Sequence, residues 1–357
     1  MKKIFLIILA FTALCLYSNY APVVTIVGVQ QRDDGSYMVD ISYNLSDADL
    51  MLVSIAASND GSLSWDYEIN SVTGDIGYNI ASGTGKQITW DFAADHPDVF
   101  EIPTMVKITA NDLYDTLVGG GTFNNGTSDV TVSSFYLGKY EVTQSEYEAV
   151  MGNNPSTFTD VTNGPVEKVS WFDAIEYCNR RSMDEGLTSC YSYSSYGTYP
   201  DDWPVGWNSN YFNAANVSCS WTADGYRLPT EAEWHFAARG GNDTQNYAYS
   251  GSNTIGDVAW YISNSVKTHT VGTKASNELG TYDMSGNVRE WVWDRWAASY
   301  LGGAQTNPHG PESGDYRVGR GGSWCNSADN CTVSSRFYSG ATYSNYYIGF
   351  RLCRISP

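Results

Sequence analysis

Short runs of alternating hydrophobic and polar residues fill the first third of the chain. Turn sequences, such as Asp-Asp-Gly at 33–35 and Asn-Asp-Gly at 59–61, separate these runs, which are rich in Val, Ile, Tyr and Trp. The runs are VVTIVGVQQ, YMVDISYNL, LMLVSIAAS, SWDYEINSV, KQITWDF and MVKITAND. Because a period of two places every second side chain on one face of a strand, the pattern predicts a β-sandwich over residues 22–113.

The pattern changes after residue 113, where helix-start signals replace the alternation. Three Ser or Thr residues each stand three positions before an acidic residue, which is the signature of a capping box. The pairs are Thr143 with Glu146, Ser170 with Asp173, and Thr230 with Glu233. Loops and short β segments fill the remainder. Residues 114–357 are therefore predicted to form an irregular α+β domain with few helices and short strands.

Charge restricts the partners that this chain can bind. The 357 residues carry a formal net charge of -19 at pH 7. Binding to nucleic acid or to an anionic membrane needs clustered Lys and Arg, so both are excluded as partners. The acidic composition is compatible with Ca²⁺, which takes oxygen ligands.

The amino terminus has the pattern of a secretory signal. Two lysines precede an apolar run over residues 4–16, and the small residues Ser18 and Ala21 follow it. This pattern predicts a signal peptide at residues 1–21, with export to the periplasm, the cell surface or the medium. The apolar run is too short to predict a transmembrane helix.

The cysteines are consistent with an oxidising compartment. Cys15 leaves a lipid anchor open as an alternative, although the bulky Leu14 before it fits a lipidation site poorly. Six cysteines follow the signal segment: Cys178, Cys190, Cys219, Cys325, Cys331 and Cys353. An even count in an exported protein predicts three disulfides, for which about fifteen pairings exist. Cys190 and Cys219 are placed to staple the long loop over 186–225.

Seven strings in the second region carry a resemblance to a known family. They are GGGTF at 119–123, FYLGKYEVTQSEYEAVMGNNPS at 135–156, PVEKVSWFDAIEYCN at 165–179, GYRLPTEAEWHFAARGG at 225–241, ELGTYDMSGNVREWVWD at 278–294, GRGGSW at 319–324 and GFRL at 349–352. In this order they resemble the formylglycine-generating enzyme (sulfatase-modifying factor) family. The resemblance implies an irregular fold related to C-type lectins. The region before it resembles an immunoglobulin-like or fibronectin-type-III-like module.

The same resemblance implies a copper and redox site near the end of the chain. Catalytic members of the family oxidise a cysteine of a sulfatase to formylglycine with O₂, and they hold copper on two cysteines after a Gly-Gly-Ser motif. Cys331 has the same offset from Ser323 as the second of those cysteines, whereas Cys325 comes one residue earlier than the first. Thiolates are soft ligands that select Cu⁺. On this interpretation Cys325 and Cys331 bind Cu⁺, and Ser323, Trp324 and Arg336 line the site.

A structural interpretation of the same residues stays open. Cys325 and Cys331 would then form a local disulfide, or Cys331 would only pack, in a loop without redox chemistry. Arg336 also lies nearer to these cysteines in sequence than its counterpart does in catalytic members.

The remaining cysteines are paired by resemblance to the family's long-range bridge. That bridge implies a disulfide between Cys178 and Cys353, with Cys190 and Cys219 as a second pair. A different pairing of these four remains the alternative.

The resemblance also implies a calcium site in DMSGNVRE at residues 283–290. Ca²⁺ takes six to eight oxygen ligands, backbone carbonyls included. The matching positions are Asp283, Gly286, Val288 and Glu290, of which the middle two would use their carbonyls. The alternative is that the two carboxylates cap turns or pair with Arg289 or Arg295. A second and looser match makes Asp257 and Asn264 further candidate ligands.

Two functions follow from these features. The first is a formylglycine-generating oxidase that acts on a cysteine of a protein or peptide substrate. The second is a catalytically inactive module that recognises a protein or a glycan through Trp- and Tyr-rich loops. The spacing of Cys325 weighs against full catalysis. The four histidines have no zinc-ligand spacing, so a zinc hydrolase is excluded.

Overall fold

The computed structural model describes residues 23–46, 51–58, 67, 69–97, 105–112 and 115–356. The chain divides into two compact units, Met1–Leu113 and Tyr114–Pro357. The predicted signal peptide at residues 1–21, with Cys15, lies outside the described residues. None of the helices in the described part of the chain has the length and apolarity that crossing a bilayer requires.

The N-terminal unit is built from strands, as the alternating pattern predicts. Its described elements are β1 (Val23–Gln31), β2 (Met38–Ser46), β3 (Met51–Ser58), β4 (Val72–Gly74), β5 (Gly77–Ile80), β6 (Gly83–Asp91), the single helical turn α1 (Phe92–Asp95) and β7 (Met105–Asp112). The strands form two antiparallel sheets with the orders β1-β2-β6-β4 and β5-β3-β7. Of the predicted run at 64–72, residues 64–66 and 68 lie outside the described residues.

Both sheets of this unit contribute to one hydrophobic core. Ile41 and Trp90 from the first sheet and Val53 from the second are buried in the same cluster. Burial alternates along β2, so every second side chain faces that cluster. The strands are therefore present and share a core, while their immunoglobulin-like or fibronectin-like sandwich topology stays a prediction.

The C-terminal unit combines short strands with few helices, as predicted. Its strands are β8 (Asp115–Val118), β9 (Gly121–Asn124), β10 (Asp129–Val132), β11 (Phe135–Gly138), β12 (Tyr191–Tyr193), β13 (Val217–Cys219), β14 (Arg289–Arg295), β15 (Gln305–Thr306), β16 (Tyr316–Arg320), β17 (Arg336–Gly340), β18 (Ile348–Phe350) and β19 (Cys353–Ile355). Its helices are α2 (Gln144–Met151), α3 (Trp171–Asp184), α4 (Glu231–Ala238) and the single turn α5 (Ile255–Val258). Short 3-10 turns and loops connect them.

Three of these helices begin at the predicted capping boxes. Thr143, Ser170 and Thr230 are the N-caps of α2, α3 and α4, and each box has both of its reciprocal hydrogen bonds. These bonds satisfy backbone N–H groups that a helix start otherwise leaves unpaired. Local sequence therefore determines where each helix starts.

A four-stranded sheet with the order β17-β16-β14-β18 lies next to the candidate site. Its strand β14 is tied to the α3 region by two buried indoles. The Trp171 indole N–H donates to the Val292 carbonyl, and the Trp291 indole N–H donates to the Val169 carbonyl, both at 3.0 Å. These cross-links fix β14, which carries Arg289 and Glu290.

The six cysteines of the C-terminal unit are free thiols in the structure. Cys178 and Cys353 are buried, and Cys219 lies on β13 opposite Tyr191, the neighbour of Cys190. The predicted bridges between Cys178 and Cys353 and between Cys190 and Cys219 are not formed here, and they stay predictions.

Candidate functional site

The loop after β16 is shaped by two glycines. Gly321 and Gly322 both have left-handed backbone, with φ of 87° and 72°. A Cβ on Gly322 would lie 2.5 Å from the Asn330 carbonyl oxygen and 2.6 Å from the Cys331 sulfur. No side chain fits there, so glycine lets Cys331 pack directly against the backbone of the loop.

Two thiols flank Ser323, which follows these glycines. The Cys325 sulfur lies 3.5 Å from the Ser323 hydroxyl oxygen, and the Cys331 sulfur lies 3.9 Å from the Ser323 carbonyl oxygen. Cys325 is half-buried and Cys331 is fully buried. Burial raises the pKa of the Cys331 thiol to about 11, so it holds its proton at neutral pH. The structure brings these three predicted residues together. The Cys325 thiol is partly accessible to solvent, and the Cys331 thiol is enclosed.

Arg336, a predicted site residue, forms an ion pair with the Glu231 carboxylate. Its guanidinium donates to both oxygens of Glu231, at 2.6 Å and 2.7 Å, and its cationic carbon lies 4.1 Å from the Tyr300 ring centroid. Arg336 and Glu231 line the same partly open cleft. A bidentate pair of this kind fixes the side chain. Its described contacts therefore place Arg336 with Glu231 and not with Ser323.

Arg289, at the start of β14, is the charged residue that lies beside the thiols. It donates to the Asn326 side-chain oxygen at 3.0 Å, and that oxygen also accepts from the Ser323 hydroxyl at 2.8 Å. Sequence reasoning considered Arg289 only as a partner for the calcium-site carboxylates. Strand alternation was an available signal, because neighbouring residues of a strand face opposite sides and Arg289 therefore points away from Glu290.

A group of aromatic side chains, here called the aromatic surface, consists of the half-buried Phe158 and Trp324 and the exposed Tyr346. The ring centroids of Phe158 and Trp324 are 5.5 Å apart, and those of Trp324 and Tyr346 are 5.8 Å apart. The Trp324 indole donates to the Tyr346 carbonyl at 3.1 Å, and Tyr346 is 43% exposed. Glu167 accepts the backbone N–H groups of Thr157 and Phe158, which holds Phe158 in place. Trp324 is thus part of a fixed, solvent-facing surface.

Glu290, a predicted calcium ligand, is already paired. Its two oxygens accept from the Arg351 guanidinium at 2.6 Å and 2.7 Å, and one also accepts from the Trp234 indole at 2.7 Å. The side chains of Glu290 and Arg351 are both 0% exposed. Neither of the partners considered in the sequence, Arg289 and Arg295, forms this pair.

Asp283 presents a carboxylate oxygen without a partner. One oxygen accepts from the Gly272 N–H at 2.7 Å, while the other is buried and makes no hydrogen bond to the described residues. Burial raises the pKa of Asp283 to about 6. Glu141 lies nearby and accepts from the Val288 N–H at 2.9 Å, and burial, then Asp283 and Glu290, raise its pKa. This group of carboxylates has more negative charge than Arg351 alone neutralises.

The other calcium-site positions lie on the same loop. Gly286 has φ of 87°, and its N–H donates to the Gly321 carbonyl at 2.9 Å, which ties this loop to the Gly-Gly-Ser loop. Val288 directly precedes β14. Within the described ranges no group of three or more His, Cys, Asp or Glu side chains is arranged to hold a metal ion.

The second, looser pair of candidate ligands is engaged in local turns. The Asn264 side chain accepts from the Tyr261 N–H at 2.8 Å and donates to the Ala259 carbonyl at 2.9 Å. Asp257 accepts from the Ser252 hydroxyl at 3.3 Å. No described contact joins Asp257 to Asn264.

Comparison with known proteins places this geometry in context. Residues 98–355 match the model of the sulfatase-modifying factor enzyme 1-like domain. The chain is 42% identical over 247 residues to the chaperone protein LppX of Paenibacillus barcinonensis, covering 61% of this chain and 81% of that protein. It is 26% identical over 287 residues to the formylglycine-generating enzyme of Mus musculus, covering 66% of this chain and 73% of the enzyme.

A solved structure has the same fold in the C-terminal unit. The variable protein 1 of Treponema denticola is 36% identical and superposes with a TM-score of 0.61, covering 68% of this chain and 95% of that protein. The similar proteins thus include one named as an enzyme, one named as a chaperone and one named as a variable protein. Similarity alone does not decide between catalysis and binding.

Proposed function

This chain belongs to the sulfatase-modifying factor enzyme 1-like domain family, and from that premise we propose that it is an exported, catalytically inactive binding protein. Its C-terminal unit recognises a protein or a glycan through the aromatic surface. The observation that carries this proposal is the contrast between Trp324, fixed at the surface beside the exposed Tyr346, and Cys331, which is enclosed and protonated. Aromatic side chains of this kind dominate binding interfaces.

A copper oxidase is the second candidate function. It is favoured by the placement of Cys325 and Cys331 on either side of Ser323, and two thiolates are a donor set that suits Cu⁺. Copper would supply the chemistry of O₂ activation in that case. Two features oppose it: the one-residue shift of Cys325 and the burial of Cys331, which disfavours the thiolate.

The N-terminal region is consistent with export of the chain and with a spacer that carries the C-terminal binding domain. We propose that residues 1–21 direct export and that the strands of the N-terminal unit form an immunoglobulin-like or fibronectin-like spacer. The two sheets that share one core support the spacer proposal. A spacer would hold the binding domain away from a surface or another domain.

A direct test of the binding function is a screen of the mature protein on glycan and peptide arrays in calcium-containing buffer. We expect a reproducible set of bound ligands. The Trp324→Ala variant should lose that set, because the indole both forms the surface and holds the Tyr346 backbone. Blank arrays with the native protein would contradict the proposal, and unchanged binding by the variant would exclude the aromatic surface as the site.

We also propose that Ca²⁺ binds at Asp283, with the carbonyls of Gly286 and Val288 and with Glu290 as further ligands or as a supporting negative charge. The unpartnered Asp283 oxygen supports this proposal, because a buried carboxylate oxygen without a hydrogen bond is costly. Glu290 fits less well, since Arg351 and Trp234 already occupy its oxygens. Asp257 and Asn264 remain candidate ligands of a second site.

Removing calcium should lower the melting temperature. At 100 times its dissociation constant a ligand of the folded state stabilises by about 2.7 kcal/mol, which corresponds to about 5 °C or more for a domain of this size. Thermal melts with and without a calcium chelator measure the shift. Asp283→Asn should abolish it, whereas the exposed Asp160→Asn should retain it. If the chelator does not change the melting temperature of the native protein, the proposed calcium site is refuted.

A further inference from the structure

Buried arginines in the described part of the chain have strong acceptors, with one exception. The five are Arg227, Arg289, Arg317, Arg320 and Arg351. Three of them pair with carboxylates, at 2.7 Å, 3.3 Å and 2.6 Å. A fourth donates to two backbone carbonyls at 2.5 Å and 3.1 Å. Arg289 has neither kind of acceptor among the described residues, and the neutral amide oxygen of Asn326 is its one described hydrogen-bond partner.

This arrangement leaves Arg289 as a desolvated cation. It is 7% exposed, and its guanidinium carbon lies 3.9 Å from the Phe337 ring centroid. Burial lowers the pKa of Arg289, yet a guanidinium stays protonated in proteins. A buried charge without a counter-ion is costly, so an anion placed here would gain from the missing pairing.

The N–H donors of Arg289 that Asn326 leaves unused are not completely enclosed. No nitrogen of Arg289 is both enclosed and unpaired in the described ranges, in contrast to the Nε atoms of Arg227 and Arg320. An arginine has five N–H donors in a planar fork, and one bond to Asn326 leaves most of them free. The free N–H groups of Arg289 can therefore donate hydrogen bonds to a planar or tetrahedral oxyanion of a bound ligand.

Other polar groups lie near Arg289. The hydroxyls of Tyr343 and Tyr347 hydrogen-bond to each other, and Tyr347 lies near Arg289 with its ring centroid 5.8 Å from the guanidinium. Cys325 is also close enough to affect the pKa of Arg289. The surroundings of Arg289 thus combine a cation, two hydroxyls and a half-buried thiol.

The groups around Arg289 lie next to the aromatic surface. The ring of Tyr346 lies 5.5 Å from that of Tyr347, edge to face, and Asn326 is two residues from Trp324. A ligand that covers Trp324 and Tyr346 therefore lies close to Tyr347 and Arg289. The chain has a net charge of -19, so a positive charge at Arg289 contrasts with the protein as a whole. Such a charge can favour an anionic ligand over a neutral one.

We propose that Arg289 is the specificity-determining residue of the binding site and that it pairs with an oxyanion of the ligand, a carboxylate or a sulfate ester. This inference rests on the proposed binding function and gives it a ligand class. The planar fork of arginine matches both groups, and charge-assisted bonds of this type are about twice as strong as neutral ones. A neutral amide in the same position would leave the cation unpaired.

The test uses small probes and the indole signal of Trp324. The mature chain, labelled with ¹⁵N in its tryptophans, is titrated with 4-hydroxyphenylacetate, 4-hydroxyphenyl sulfate and the neutral 4-hydroxyphenylacetamide. Trp324→Phe assigns the signal. We expect saturable shifts of that signal with at least one of the two anions and at least tenfold weaker binding of the amide. The anion that binds more tightly shows whether Arg289 pairs with a carboxylate or with a sulfate ester of the ligand.

Variants separate charge from shape. Arg289→Met keeps a long apolar side chain but removes the guanidinium that lies over Phe337, so it should weaken binding of the anion at least tenfold while leaving the amide unchanged. Arg289→Lys keeps the charge but lacks the fork, so we expect an intermediate loss. Arg32→Met, which removes an exposed arginine of the N-terminal unit, is the matched control and should bind as the native chain does.

Two results with the small probes would overturn the inference. One is equal binding of the amide and the anions by the native protein. The other is undiminished binding of the anions by both Arg289 variants. Array ligands that still bind to Arg289→Met would also reject the oxyanion role while leaving the binding function intact. Blank arrays, in contrast, reject the binding function itself, so the two failures are distinguishable.

Discussion

Replacing Arg351 with methionine is expected to destabilise the C-terminal unit by about 3–5 kcal/mol. Arg351 and Glu290 are both fully buried, and the guanidinium also donates to the Gly138 and Tyr282 carbonyls at 2.8 Å each. Removing the arginine leaves the Glu290 charge buried without its counter-ion. Chemical denaturation followed by tryptophan fluorescence measures the free energy of unfolding.

Two comparisons show whether the buried pair is responsible for this loss. The pair of Lys267 and Asp160 is also close, at 2.6 Å, but it is exposed, so Lys267→Met should cost less than about 1 kcal/mol. The double variant Arg351→Met with Glu290→Met removes both charges and should recover much of the loss. A loss below about 1 kcal/mol for Arg351→Met alone would show that the pair does not support the fold.

Truncating Trp324 is expected to have the largest effect on binding. A buried aromatic anchor at the centre of an interface contributes about 2 kcal/mol or more, which is about 30-fold in affinity. The Trp324→Ala variant also loses the hydrogen bond to the Tyr346 carbonyl and the ring contact with Phe158. Titration of the array-selected ligand against native and variant protein gives the affinity ratio.

An exposed aromatic residue elsewhere serves as the control for this effect. Phe212 is 56% exposed and lies outside the aromatic surface. Phe212→Ala should leave affinity within about twofold, and Trp324→Phe should retain part of it, because a ring remains. Equal losses for Trp324→Ala and Phe212→Ala would mean that apolar contact in general, and not this surface, drives binding.

Helix starts were predictable from the sequence because capping is local. Thr143, Ser170 and Thr230 each bond to groups within three residues, so a short string contains the whole interaction. The strands of the N-terminal unit were predictable for a similar reason, since alternation is visible within a single strand. The order of those strands in the two sheets depends on distant pairings that no short string reveals.

Only the part of the candidate site that lies on a single loop was predictable from the sequence. Ser323, Cys325 and Cys331 lie within nine residues and meet in the structure through Gly322. Arg289 joins them from β14, 37 residues before Asn326. Its contact with Asn326 depends on how β14 and the loop after β16 pack, so spacing could not reveal it.

Partner choice in the ion pairs was likewise set by long-range packing. Glu290 matched a calcium ligand in its local string, yet it pairs with Arg351, 61 residues away. Arg336 was a candidate site residue by resemblance to the family, yet it pairs with Glu231, 105 residues earlier. A local string identifies which residues are chemically able to act, and the folded sheet determines which partners reach them.

The central claim is that this domain binds a ligand and does not carry a working copper centre. Titration of the fully reduced mature protein with Cu⁺, in competition with a Cu⁺ chelator, tests it most directly. Thiols in general are ligands for Cu⁺ and four others are free in the described part of the chain, so the Cys325→Ser with Cys331→Ser double variant is the reference. We predict that native protein and double variant retain the same amount of Cu⁺. One additional Cu⁺ per native chain, lost in the double variant, would contradict the claim and favour the oxidase.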